Sequence, residues 1–398
     1  MIIESIELLH LALPFRRRFV HAARSRAHGD TVLVRLGTAG GAVCFGEILP
    51  RPYVTGETVG AVLSRDASGA TARLASRVLG HRFPDQDALT RWIDAHHSDF
   101  EAHTALFGGV ELALWNALGL EEGVDLDRLL GPPRRRAPGR CTTLGLEIPT
   151  GELRRHAVGA RLAGATVAKL KVGLPDDVER LLALDRALGG RTPLRVDANG
   201  RYDPARAEAL LSACAGTTAL ESFEEPFPRA GAGDEPAKGS AKGSAGDARV
   251  RAETDEAAVE ACRTLHARFG VDFVADESLC SLADARRLAR EGAFQVFNLR
   301  VGKLGGLYPT RLVRDFAARC GIGAVGGSMV GESGVLTQAG ELLLARSETL
   351  DYVEGLGQNA RLLETDPVER LDGSGPLRAF RLKPGVEGAM MRASVRFD

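Results

Sequence analysis

Apolar and polar positions along the second half of the chain follow two alternating rhythms. The stretch Val167-Ala168-Lys169-Leu170-Lys171-Val172-Gly173 has the period of two that marks a β-strand. It puts Val167, Lys169 and Lys171 on one face and Ala168, Leu170 and Val172 on the other. From Arg140 onward, strand-like segments of this kind take turns with amphipathic helical ones. Strands are predicted over 141–146, 167–172, 194–197, 219–224, 273–276, 296–299, 322–327 and 352–353, with helices over 151–163, 175–188, 204–215, 282–290, 310–320 and 335–346. About eight β/α repeats predict an α/β fold built on a closed barrel of parallel strands. An open doubly wound sheet is the alternative. It calls for a Gly-rich phosphate loop after its first strand, and the sequence has none.

The first part of the chain has a different order. Strands are predicted over 2–13 and 31–36, and the Gly40-Gly41 turn joins the second to 42–45 as a hairpin. A polar loop over 19–29, with His21, Arg24 and His28, separates the first two strands, and a loop over 50–56 with Arg51 and Tyr53 follows the hairpin. Helices are predicted over 58–80, 85–97 and 101–120. Strands followed by helices make an α+β unit. The chain thus divides into an α+β region at 1–138, a barrel at 139–370, and a strand-and-turn segment at 371–398 expected to pack back on the first region. Residues 229–250 interrupt the barrel with a duplicated Ala-Lys-Gly-Ser and little apolar area, and they read as a flexible surface insertion.

Length agrees with two domains, since 398 residues exceed one ordinary core. The net charge of -1 gives no field for nucleic acid or an anionic membrane, and neither is an expected partner. The runs at 16–18 and 134–136 are three arginines each, too short for a nucleic-acid footprint. The six cysteines form no CxxC pair, which suits reduced thiols. The N-terminus has no signal-peptide pattern and no apolar run is long enough to span a bilayer, so the expectation is a cytoplasmic protein.

Barrels keep their chemistry at the C-terminal ends of the strands. Here the second strand carries Lys169 and Lys171, the third ends in Asp197, the fourth in Glu224 and the fifth in Asp276. Three carboxylates in register repel one another unless a cation sits among them, and hard oxygen ligands with room for water suit Mg²⁺. A divalent ion can hold a substrate carboxylate and stabilise the charge of an enolate. A lysine crowded by a second lysine and a metal ion has a lowered pKa and can act as a base.

The ordered motifs KLK, VDANG, FEEPF, ADESL, Lys303-Leu304-Gly305-Gly306 and GSMVGESG resemble the enolase superfamily, in particular its muconate-lactonizing-enzyme subgroup. Gly46-Glu47 and the FGGVELALWNALG segment are similar to that family's capping domain. The resemblance implies a (β/α)7β modified TIM barrel under an N-terminal α+β cap. It implies Asp197, Glu224 and Asp276 as Mg²⁺ ligands, Lys171 as the base and Lys169 as its electrostatic partner. Asn199 belongs to the VDANG motif and is a further site-lining candidate. His21, Arg24, Arg51 and Tyr53 in cap loops would close on the distal end of a small carboxylate substrate. Family members commonly form homo-oligomers, and the same is expected here.

The sequence also departs from the subgroup. The sixth strand, Phe297-Asn298-Leu299-Arg300-Val301-Gly302-Lys303, places Arg300 where a second catalytic lysine is usual. Arginine stays protonated, so it is a poor proton-transfer group and a good fixed cation. This favours one-base chemistry, elimination (dehydration) or cycloisomerisation, over a two-base racemase or epimerase, which is the alternative. A catalytically inert metal- or ligand-binding homologue is a second alternative. Lys303 could substitute for the missing lysine, although period 2 points it away from the face of Arg300. No histidine follows His266, which removes the dyad of the mandelate-racemase subgroup, and the eighth strand lacks the Asp-x-Asp of dipeptide epimerases. Glu332 and Glu354 are candidate site-lining acids, with helix capping as the other reading.

Overall fold

The computed structural model describes residues 1–21, 24–190, 192–216, 218–228, 256–355, 357, 359–371, 377 and 380–398, without the side chains of 19–21, 24 and 25. The insertion proposed at 229–250 and the side chains of His21 and Arg24 lie outside the described residues. The chain opens with three antiparallel strands, β1 (Ile3–His21), β2 (Arg24–Thr38) and β3 (Val43–Ile48). Eight parallel strands follow: β4 (Gly139–Leu144), β5 (Val167–Lys171), β6 (Leu194–Asp197), β7 (Leu220–Glu224), β8 (Asp272–Ala275), β9 (Val296–Leu299), β10 (Gly323–Gly326) and β11 (Leu350–Glu354). They close into a barrel in the order β10-β11-β4-β5-β6-β7-β8-β9. β12 (Val368–Arg370) and β13 (Phe380–Leu382) form a small ribbon, and β14 (Met391–Phe397) joins the first sheet beside β1.

Two predicted features differ. The polar segment at 19–29 is paired rather than looped: Phe19 lies opposite Arg26 and Val20 opposite Ser25. The basic residues break the hydrophobic alternation there, but ladder hydrogen bonding needs no apolar face, so the hairpin runs on as a ribbon. The helix predicted at 58–80 is two, Val59–Val62 and Ala70–Val78. Between them the Asp66 carboxylate accepts the Ser68 N–H at 3.0 Å, a local turn that competes with the helix.

The helix Thr104–Glu121 is buried over 104–118 and lies across the cap sheet. A Cβ on Gly46 would sit 1.8 Å from the Gly109 carbonyl, so sheet and helix meet backbone to backbone. Two buried carboxylates then join cap to barrel. Glu111 accepts from the Leu307 and Tyr308 N–H groups at the start of a barrel helix, at 2.9 and 2.8 Å. Glu47 accepts from Ser333 N and Oγ and from Leu336 N, at 2.7 to 3.2 Å. Both sit where helix N–H groups lack intrahelical partners. This fixes the cap over the C-terminal end of the barrel. Among the described residues, no helix is long and apolar enough to cross a membrane.

Candidate active site

Strand register aligns the chemistry. Lys169 pairs with Arg195, and Lys171 with Asp197, which pairs in turn with Glu224. Alternation along each strand therefore turns one set of positions inward: Lys169 and Lys171 on β5, Arg195 and Asp197 on β6, Ser222 and Glu224 on β7, Asn298 on β9, and Glu354 on β11. Asp276 and Arg300 follow at the ends of β8 and β9.

The lower layer is a closed network. The Lys169 ammonium lies 3.1 Å from both Glu224 oxygens, 2.8 Å from Glu354 Oε1 and 3.2 Å from Asp197 Oδ2. Arg195 donates to Glu354 Oε2 at 2.9 Å, Glu224 Oε2 at 2.8 Å and Ser222 Oγ at 3.0 Å, and its guanidinium lies over the Tyr352 ring. Asn298 Nδ2 donates to Glu224 and Glu354 at 3.2 and 3.0 Å. Burial alone would lower the Lys169 pKa, but the carboxylates of Glu224, Glu354 and Asp197 outweigh it and raise it well above the ordinary lysine value. These carboxylates hold Lys169 as an ammonium. Against the cost of burial, Lys169, Arg195 and Arg300 hold the Glu354 carboxyl down at about 2.

The upper layer faces the mouth. Lys171 Nζ lies 2.6 Å from both Asp197 Oδ2 and Asn199 Oδ1, and its side chain is 18 % exposed. Asn199 Nδ2 donates to Glu277 Oε1 at 3.1 Å, and its φ of 45° places it in the left-handed region, which asparagine tolerates. Across the barrel, Arg300 pairs with Asp276 through Nη2 and lies 3.7 Å from Glu224 and 3.6 Å from Glu354. Lys303 is fully buried, with its ammonium 2.9 Å from Asp276 Oδ1 and bonded to the Asp276 carbonyl.

Lys303 corrects the expectation that it points away from Arg300. β9 ends at Leu299, and the chain curls so that the Lys303 and Leu304 N–H groups both donate to the Arg300 carbonyl. In a turn of that kind residues three apart share a side, and period 2 no longer applies. Lys303 therefore belongs to the acid cluster and not to a substrate-lining wall. Arg51 is likewise committed elsewhere: it is buried and donates to the carbonyls of Asp30, Pro50 and Val330, tying the cap to the loop after β10. Glu332 braces the same loop, accepting from Met329 N at 2.8 Å and Thr337 Oγ1 at 3.2 Å. Tyr53 is partly exposed beneath the Arg26 guanidinium. Arg195 and Asn298 are the residues that sequence reasoning passed over. Each lies two positions before a site residue on its own strand, so the alternation carried the signal.

Among the described residues, no three His, Cys, Asp or Glu side chains are gathered as a metal cage; protein cations lie on Asp197, Glu224 and Asp276 instead. The donor set nevertheless fits a hard divalent ion. It is oxygen-only, fully buried and carried on the ends of adjacent strands. Beside it, burial together with the charges of Asp276, Glu225 and Asp197 pushes the Glu277 carboxyl up to about 7, a crowding that a cation relieves.

Comparison with known proteins agrees with this geometry. The family model described as enolase C-terminal domain-like matches residues 152–237 and 252–386. An aromatic dipeptide epimerase from Herpetosiphon aurantiacus is 29% identical over 357 residues, covering 89% of this chain and 87% of its own. A chloromuconate cycloisomerase from Cupriavidus pinatubonensis is 28% identical over 354 residues, covering 85% and 83%. The crystal structure of a dipeptide epimerase from Enterococcus faecalis, complexed with Mg and the dipeptide L-Leu-L-Tyr, superimposes with a TM-score of 0.72 at 21% identity over 98% of this chain and 100% of that one. With a closed barrel under an antiparallel cap, and lysines and carboxylates facing each other at its mouth, the chain belongs to the enolase superfamily, in its muconate-lactonizing-enzyme-like branch.

Proposed function

We propose that the protein removes the proton α to a carboxylate on a small molecule and completes an isomerisation or elimination from one face. The observation that carries this reading is the asymmetry of the mouth. On β5, Lys171 is partly exposed and held by Asp197 and Asn199; on the diametrically opposite strand stands Arg300 instead of a second lysine. Lys171 Nζ, in its neutral form, takes the proton. Lys169 keeps a permanent positive charge beside the reacting centre, and Arg300 adds a fixed charge on the far side. Asp197, Glu224 and Asp276 would hold Mg²⁺, which when bound offsets the negative charge gathered on the substrate carboxylate. The electron pair of the broken C–H bond then forms a C=C bond as a β-substituent departs, which is elimination when that group leaves the molecule and ring opening when it stays attached; in the reverse, ring-closing direction Lys171 delivers the proton on the same face.

A second reading is epimerisation, favoured by the dipeptide epimerases among the relatives. It needs a proton donor on the face of Arg300, whose guanidinium holds its proton too tightly for that role. Incubating carboxylate and dipeptide libraries in D₂O separates the two. Deuterium uptake with retention, ring formation or loss of a leaving group supports the one-face reading, and uptake with inversion replaces it by epimerisation. No exchange in any substrate leaves a ligand-binding homologue. Lys171→Ala is expected to lower exchange by about 10²–10⁴-fold.

A further inference from the structure

Arg300 does more than replace a lysine. Its guanidinium bonds Asp276 and lies within 3.7 Å of Glu224 and 3.6 Å of Glu354. With Lys303 on the other Asp276 oxygen, two protein cations occupy one expected metal ligand and one of them also leans on a second. Around the mouth, Lys169, Lys171, Arg195, Arg300 and Lys303 face Asp197, Glu224, Glu225, Asp276, Glu277 and Glu354, so charge is almost balanced by side chains alone.

The neighbouring strand leaves room for this placement. A Cβ on Gly327, just past the end of β10, would lie 2.9 Å from Arg300 Nε, 3.0 Å from Arg300 Cγ and 2.4 Å from Asn298 Oδ1. A methyl group there would crowd the Asn298 amide first and the Arg300 stem beside it, so both side chains use the space the glycine leaves. The attachment is also incomplete, since Arg300 Nε is buried and has no hydrogen-bond partner among the described residues. The guanidinium is held at one end by charge and is not locked by a full set of hydrogen bonds, so it can leave.

We propose that Arg300 is an internal counter-cation that competes with the divalent metal for Asp276 and Glu224, so that metal binding displaces its guanidinium and Arg300 sets the metal concentration at which the site fills. This rests on the reading of Asp197, Glu224 and Asp276 as the metal ligands. A unit charge a few ångströms from a metal ligand weighs heavily on affinity, even at the effective dielectric of a protein interior. Removing it therefore tightens binding, although the residue removed touches the ligands.

The test is Mn²⁺ binding to the full-length metal-free protein, followed by calorimetry and by the electron-spin signal of the free ion. Arg300→Gln is expected to bind Mn²⁺ at least ~10-fold more tightly than the wild type, and Arg300→Lys to fall between them. Arg300→Met, which removes the charge but keeps an unbranched stem in the space beside Gly327, is expected to tighten binding as well, and it carries the test should Arg300→Gln fail to fold. The Mn²⁺-induced rise in melting temperature is expected to be larger for each variant than for the wild type. Equal or weaker Mn²⁺ binding by the variants overturns the competition while leaving the metal site standing. No Mn²⁺ bound by the wild type or by any variant overturns the metal reading and the competition together.

Discussion

Arg195 shows how much of the site rests on one side chain. It is fully buried and supplies charge to two carboxylates, Glu224 and Glu354, that would otherwise rest on Lys169, the Asn298 amide and the more distant Arg300. Arg195→Met keeps the volume and removes the charge, leaving buried carboxylates short of a partner. Breaking a buried pair in this way costs about 3–5 kcal/mol, and urea unfolding is expected to show a loss of that size. A change below about 1 kcal/mol would mean that the network relaxes around the gap. The residues legible beforehand were those at strand ends, where a charge stands out against an apolar run: Lys171, Asp197, Glu224 and Asp276. Arg195 and Asn298 sit mid-strand, and only the knowledge that the barrel interior here is polar turns their period-2 position into a prediction. Lys303 was misread for the opposite reason, because the period was extended past the point where the strand stops.

At the scale of elements, the barrel strands and most of their helices were readable because each repeats a short amphipathic pattern. The breaks were not. The turn at 64–69 depends on the Asp66 side chain capturing a nearby N–H group, a contact that outweighs moderate helix preference on either side. The long β1–β2 ribbon depends on pairing between strands, which no single segment announces. The cap's own packing at Gly46 and its docking through Glu47 and Glu111 rest on points that the sequence marks only faintly. Gly46→Ala would drive a methyl group into the Gly109 carbonyl, and neither backbone can yield without moving the sheet or the helix. Its expected effect is a loss of about 3 kcal/mol or more, and poor recovery of folded protein on purification would already show it. Glu47→Gln, which retains one acceptor oxygen, is expected to cost less.

For the whole molecule, stability is expected to depend on pH through a buried acid in the loop after β10, Glu332. Burial pushes the Glu332 carboxyl up to about 8, and the charge of Glu47 adds to this while the Met329 N–H and the Thr337 hydroxyl pull against it. The folded chain thus keeps a proton that the unfolded chain releases near 4.5. Stability is lost as the pH rises from there to about 8, and above that the whole cost is present. The contribution is at most roughly 5 kcal/mol. Thermal melts at about pH 5 and about pH 9 are expected to differ more for the wild type than for Glu332→Gln, which has no proton to lose. Equal differences would place the pH dependence in other groups.

The pairing of β14 with β1 sets an order of events during synthesis. Ile6 lies opposite Phe397 and Leu8 opposite Val395, so a strand made before the barrel borders one made after it. β1, β2 and β3 can pair early, but one side of β1 keeps its N–H and C=O groups bare until the whole barrel has been translated. A ribosome stalled after Arg370 would therefore leave a nascent chain with an open sheet edge, offered to any neighbouring chain with a strand to add.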